Sequence, residues 1–110
     1  MPAAWNAGTV TFTYVWYALG TSTNNVVWGG AMQCYTGDTT ILTSAYNVDV
    51  TVTDAHINTA SIVQTVTSGA ITAKNPGAGR WTSVRVSRST AGGTELAVTA
   101  SLLAVIITYT

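Results

Sequence analysis

Apolar and polar side chains alternate through most of this chain with the period of two that belongs to an extended strand. The longest run covers residues 9–18, Thr-Val-Thr-Phe-Thr-Tyr-Val-Trp-Tyr-Ala. Val10, Phe12, Tyr14, Trp16 and Ala18 fall on one side of it, and Thr9, Thr11, Thr13, Val15 and Tyr17 on the other. Helical spacing would scatter the large aromatics around the helix, whereas β-branched and aromatic side chains suit a pleated surface. The pattern predicts a strand with one buried face, and the rest of the chain is organised around it.

Turn chemistry divides the remainder of the chain. Leu19 to Asn25 is a cluster of residues that supply positive φ or bond their own backbone, which marks a loop. Residues 26–35 alternate again, with Val26, Trp28, Gly30, Met32 and Cys34 on one face. Gly29-Gly30 in mid-run predicts a bulge or a close backbone approach. Asp38 to Ala45 has no clear period and is expected to cross the end of the fold as an extended connection. From Tyr46 the alternation puts Tyr46, Val48, Val50 and Val52 inward against Asn47, Asp49, Thr51 and Thr53. A turn, or one short helical turn, at residues 54–58 leads to an expected edge strand through Ile62 to Thr67, and residues 70–73 to a short strand. Lys74-Asn75-Pro76-Gly77-Ala78-Gly79 is the strongest loop signal in the chain. Arg80 to Arg88 resumes as a strand with Val84 and Val86 inward, and Ala91-Gly92-Gly93-Thr94 is the next turn. In the last strand the inward positions are even through Leu96, Val98, Ala100 and Leu102, then odd at Val105, Ile107 and Tyr109. A one-residue phase slip of this kind is the mark of a β-bulge, predicted at Leu103-Ala104.

Six or more strands with no amphipathic helix pattern predict an all-β fold, a single antiparallel β-sandwich over residues 1–110. Jelly-roll topology is favoured by the long crossing segment and the even number of long strands. An immunoglobulin-like arrangement would usually offer a Cys and Trp pairing that is absent here. The expected core is Val10, Phe12, Tyr14, Trp16, Val48, Val50, Val84, Val86, Val98, Leu102 and Val105.

Composition narrows the partners. A chain of 110 residues fits one domain, large enough to bury roughly two-thirds of its unfolded surface. Only 7% of residues are charged and the formal net charge is zero, so no long-range field gathers polyanions, and neither a nucleic-acid nor a membrane partner is expected. Weak charge also does little to keep copies apart, which favours a homo-oligomer. The single cysteine, Cys34, excludes an intrachain disulfide, and its parity with Trp28 and Met32 marks it as a buried apolar residue. The N-terminus lacks the basic region and apolar run of a secretory signal. The most apolar segment, Ala97 to Ile107, is broken by Thr99 and Ser101 and falls short of the roughly 20 residues a membrane helix needs.

Candidate chemistry is sparse. Asp54 beside His56 could orient a general base for a nucleophile such as Ser61, but no nucleophile motif accompanies them and a polar turn is the simpler reading. Asp38, Asp49 and Asp54 are the acids on which a calcium site would draw, together with backbone carbonyls. One His and one Cys are too few for the usual transition-metal sets, so no metal, cofactor or catalytic residue is assigned. Arg88 and Glu95 flank the Gly92-Gly93 turn at a spacing that predicts an ion pair across a hairpin. Trp5, Tyr17, Tyr35 and Trp81 fall outside the inward faces. As solvent-facing aromatics they are candidates first for an interface between copies and second for stacking on a sugar ring.

Three stretches carry a family resemblance: the opening Met1-Pro2-Ala3-Ala4-Trp5-Asn6-Ala7-Gly8-Thr9-Val10-Thr11-Phe12, the segment Asn25-Val26-Val27-Trp28-Gly29, and the ending Leu102-Leu103-Ala104-Val105-Ile106-Ile107-Thr108-Tyr109. With Arg85-Val86-Ser87-Arg88 before the last hairpin, they resemble jelly-roll domains of tailed-bacteriophage virion proteins. The resemblance implies a non-enzymatic structural subunit of a fibre or capsid decoration at the virion surface. Its partners would be further copies, most simply as a trimer, and other virion proteins. A receptor- or glycan-binding module at a fibre tip, with a host-surface glycan as partner, is the alternative. Such domains often close longer chains, and family members usually carry a further strand before the Met-Pro-x-x-Trp segment. That would make Met1 an internal residue and this the C-terminal domain of a longer protein.

Overall fold

A computed structural model describes residues 5–35, 46–90 and 94–109. The expected crossing at Asp38 to Ala45 and the turn at Ala91-Gly92-Gly93 lie outside the described residues. Seven strands form: β1 (Thr9–Ala18), β2 (Asn25–Tyr35), β3 (Val50–Ala55), β4 (Gln64–Thr67), β5 (Ile71–Thr72), β6 (Trp81–Ser89) and β7 (Ala100–Tyr109). The fold is all-β, with no helix among the described residues. Two antiparallel sheets pack together, each built on one long central strand.

In the first sheet β1 has β7 along one flank, and β4 followed by β5 along the other. Ser68 joins β4 to β5. Its N–H donates to the Phe12 carbonyl at 2.8 Å, and its hydroxyl accepts from the Phe12 N–H at 3.0 Å. In the second sheet β2 lies between β3 and β6. Short segments change sheets and extend these pairings. After β5 the chain crosses so that Lys74 bonds the backbone of Met32 and Cys34 on β2. Before β7, Leu96 N–H donates to the Asn25 carbonyl at 2.8 Å.

The alternation predicted for β1 is the burial observed. Val10, Phe12, Tyr14, Trp16 and Ala18 are all fully buried, while the intervening residues are half-buried. Across the gap they meet Val26, Trp28, Met32 and Cys34 of β2, also buried, with Leu96, Ile71 and Trp5 closing the core. The Tyr14 and Trp28 rings stack at 5.8 Å, and Trp16 meets Trp28 edge-on at 6.1 Å. The close approach predicted at Gly29-Gly30 is present on both faces of β2. A Cβ on Gly30 would lie 2.6 Å from Phe12 Cδ2 and nearer still to the Tyr14 hydroxyl, and one on Gly29 would lie 2.6 Å from Ser87 Oγ.

The predicted bulge sits where the phase slips. Val15 pairs with Ala104 and Trp16 with Leu102, leaving Leu103 as the extra residue. Leu102 thus stays opposite Trp16 while Val105 and Ile107 stay opposite Tyr14 and Phe12, all on the inner face.

Three expected core residues are corrected. Val48 is 90% exposed, because residues 46–49 do not pair as a strand; β3 begins at Val50. Val84 and Leu102 face inward by register but remain 38% and 37% exposed. Each stands on a strand with one neighbour, so its inner face lacks full cover. Val50, Val86, Val98 and Val105 are partly buried against the core.

Candidate functional site

The four aromatics singled out by parity are not one surface. Trp5 is a core residue at 6% exposure, its ring edge-on to Tyr109 at 5.9 Å. Tyr35, at 8% exposure, is buried as well. The expectation that both face solvent is therefore corrected. Parity assigns a side chain to a face of its sheet, and here the outer face of β2 is itself covered. Tyr17 is half-buried on the outer face of the first sheet, opposite Ser101. Trp81 alone is largely open, at 76%, and it lies directly across from Tyr35 in the β2–β6 ladder.

Around that pair the outer face of the second sheet carries the densest polar cluster. Residues 46–49 lie against it instead of pairing as a strand. The Arg85 guanidinium donates to Asp49 Oδ1 at 2.7 and 3.0 Å and to the Asn47 carbonyl at 3.3 Å. It also rests 4.7 Å from the centre of the Tyr46 ring, a cation–π distance. Ser87 donates to Asp49 Oδ2 at 3.0 Å. Beside this pair, hydroxyls form a chain whose direction follows from donor supply. Tyr35 O–H donates to Gln33 Oε1 at 2.7 Å, so the Tyr35 oxygen takes its proton from Ser83, at 2.9 Å. The Ser83 oxygen in turn accepts from Tyr46, at 2.5 Å. Gln33 Nε2, buried at the end of this chain, has no hydrogen-bond partner among the described residues.

This arrangement offers one open indole, Trp81, on the same face of β6 as Ser83 and Arg85, the two residues that hold the half-buried Tyr46. Chemically it can stack and hydrogen-bond. Tyr46, Asp49 and Arg85 were not legible as neighbours. Tyr46 reads as inward by parity, and nothing local places Arg85 over it.

The Asp54–His56 pair separates at the other end of the fold. Asp54 Oδ2 accepts from Trp16 Nε1 at 3.0 Å and from Gln64 Nε2 at 2.9 Å. His56, buried at 2% exposure, bonds through Nδ1 to the Ser22 carbonyl at 2.9 Å, so Nδ1 carries the proton. Its ring lies 5.8 Å from Trp16, and its Nε2 has no hydrogen-bond partner among the described residues. Ser61 is exposed with positive φ of 62°, held by its N–H to the Ala18 carbonyl. Carboxylate and imidazole thus brace backbone and indole rather than each other. Of the acids weighed for calcium, Asp49 is committed to Arg85 and Ser87 and Asp54 to Trp16 and Gln64; Asp38 lies outside the described residues. No metal-ligating group of three or more occurs among the described residues.

One buried group has a displaced titration. Burial of the Tyr14 hydroxyl, aided by the Asp49 carboxylate, pushes its pKa from the ordinary 10.0 up to about 12. No described helix is long and apolar enough to cross a membrane. No protein-family model, curated protein or solved structure matches the chain.

Proposed function

We propose that this chain is a non-enzymatic structural domain of a tailed-bacteriophage virion, a jelly-roll subunit of a fibre or capsid decoration that works as a homo-oligomer, most simply a trimer. The observation that carries the reading is the nesting of strand pairs. The first strand pairs with the last and the second with the one before it, and the two pairs lie in opposite sheets. A ribbon folded over on itself in this way is how a jelly roll begins. The sequence resemblance points the same way, and the low charge suits a subunit surrounded by copies. The structural use of Asp54 and His56 is consistent with a protein that does no chemistry. Antibody raised against the chain is expected to decorate the surface of intact phage particles in electron micrographs. Particles that carry no label, although the chain is present in the infected cell, would remove the virion reading.

A second reading, a glycan-binding module at a fibre tip, is favoured by the open Trp81, on the same face of β6 as Ser83 and Arg85. Under that reading oligosaccharides change the tryptophan fluorescence of the wild-type protein and leave Trp81→Ala unchanged.

A further inference from the structure

We infer that the side of the fold along which β6 and β7 run is the surface that meets a second copy of this chain. The inference rests on the oligomer reading above and deepens it by naming the surface. Its starting point is an asymmetry between the two sides. On one side β3 and β4 approach each other, β5 reaches β2, and the crossing at Ile71 to Lys74 ties the sheets together. The flanks left over, β7 on β1 and β6 on β2, therefore share the opposite side. There the Arg88–Glu95 pair at 2.9 Å and the Leu96–Asn25 bond close one corner. Beyond that corner no backbone bond among the described residues joins β6 to β7.

What this side presents is apolar and unguarded. Inward-facing Val84 and Leu102 remain 38% and 37% exposed, each on a strand with one partner among the described residues. Leu103 and Ile106 add 55% and 54% exposure, and Tyr109 and Trp81 stand at the far end. Leu102 stands on the inner face of β7 and Ile106 on its outer face, so the strand carries open apolar side chains on both faces. Among the described residues β7 pairs only with β1, and the ten residues of β7 include no charge and no proline. Native edge strands are commonly blunted by such residues. The bulge at Leu103 is the one irregularity, and Ala104 to Tyr109 pair with β1 without a further break.

Charge selects the occupant. Of the two charged residues on β6, Arg85 is paired with Asp49 and Arg88 with Glu95. A charged peptide or polyanion would find no counter-charge along β7, whereas another copy brings an equally neutral apolar edge, whose outer flank has no strand partner among the described residues. The side offers two strand flanks, β6 and β7, so each copy can meet more than one neighbour through it, as a closed ring of copies requires.

Mass in solution tests this. The wild-type chain at tens of micromolar is expected to scatter light as an oligomer. The double variant Leu103→Lys with Ile106→Lys, both at exposed positions, is expected to return the mass of one chain with its β-type circular dichroism intact. Hydrogen exchange on the wild type gives a reading that needs no variant to fold: amides of residues 100–109 should lose protection on dilution. A wild-type monomer overturns this inference and the oligomer reading together. A wild-type oligomer that survives the double variant, shows no concentration dependence at 100–109, and is dissociated by Thr65→Lys on the β4 edge overturns this inference alone.

Discussion

Close packing around Gly30 is the sharpest constraint on any single residue. The strand β2 passes so near Phe12 and Tyr14 that a methyl group has no room. Gly30→Ala is therefore expected to cost about 1 to 3 kcal/mol, the usual range for overpacking, by chemical denaturation. Its neighbour Tyr14 makes a different prediction. The Tyr14 hydroxyl is buried and has no hydrogen-bond partner among the described residues. Its folded pKa, about 12, lies above the ordinary 10.0, so folding holds its proton more tightly than the unfolded chain does. That contribution is fully present below pH 10 and is lost as pH rises toward 12. Tyr14→Phe should remove this alkaline loss while keeping neutral-pH stability, since it deletes a polar group that lacks a partner. Melting curves from pH 8 to about pH 12 check both points. At the same scale, Phe12→Ala or Trp16→Ala should each cost roughly 3 to 5 kcal/mol and Thr11→Ala far less. Equal losses at Phe12 and Thr11 would contradict the burial pattern of β1.

At the scale of elements, the bulge lets β7 keep an apolar inner face along all of β1. Deleting Leu103 would join Leu102 and Ala104 in one register without changing the face of either segment. Inserting a residue after Val105 would turn Ile107 and Tyr109 outward. Urea titrations should show the deletion milder than the insertion; the reverse would mean that Leu103 is not the extra residue. The ends of strands are fixed by side chains. Asp54 at the end of β3 ties Trp16 of β1 to Gln64 of β4. Asp54→Ala strands a buried indole N–H and should cost about 1 to 3 kcal/mol. His56→Ala should likewise lower stability, because His56 braces the Ser22 carbonyl. The ion pair expected between Arg88 and Glu95 is present, and Arg88 also bonds the Leu96 carbonyl at 2.8 Å.

For the whole molecule, two sheets with one long strand at the centre of each leave four flanks, and among the described residues the crossing at Ile71 to Lys74 ties one side together while the other is closed at a single corner by Leu96 and Asn25. On the other side the uncharged strand β7 ends with four of its six large apolar or aromatic residues, Leu102, Leu103, Ile106 and Tyr109, open. The aromatic inventory divides the same way. Three of the four tryptophans, Trp5, Trp16 and Trp28, are in the core and Trp81 is outside it. Iodide should therefore quench a minor part of the tryptophan emission, and Trp81→Phe should abolish that part. If oligomerisation covers Trp81, dilution restores the quenching.

Period-two alternation is local, so the sequence by itself determined the all-β class, the buried faces of β1 and β2, the short β5, the close approach at Gly29-Gly30 and the slip at Leu103. Each follows from neighbours along one strand. The Arg88–Glu95 pair was legible because its residues are close in sequence, although β6 and β7 belong to different sheets and do not form the hairpin expected between them. Only the tertiary structure decided which faces were covered a second time. Tyr35 and Trp5 read as outward yet are buried, because residues far along the chain lie over them. Val84 and Leu102 read as core yet stay open, because a residue's parity fixes its side of a sheet but not whether another strand stands beyond it. The polar cluster of Tyr35, Ser83, Tyr46, Asp49 and Arg85 joins residues up to 50 positions apart. Its assembly depends on how β2, β6 and residues 46–49 meet, and no local pattern encodes that.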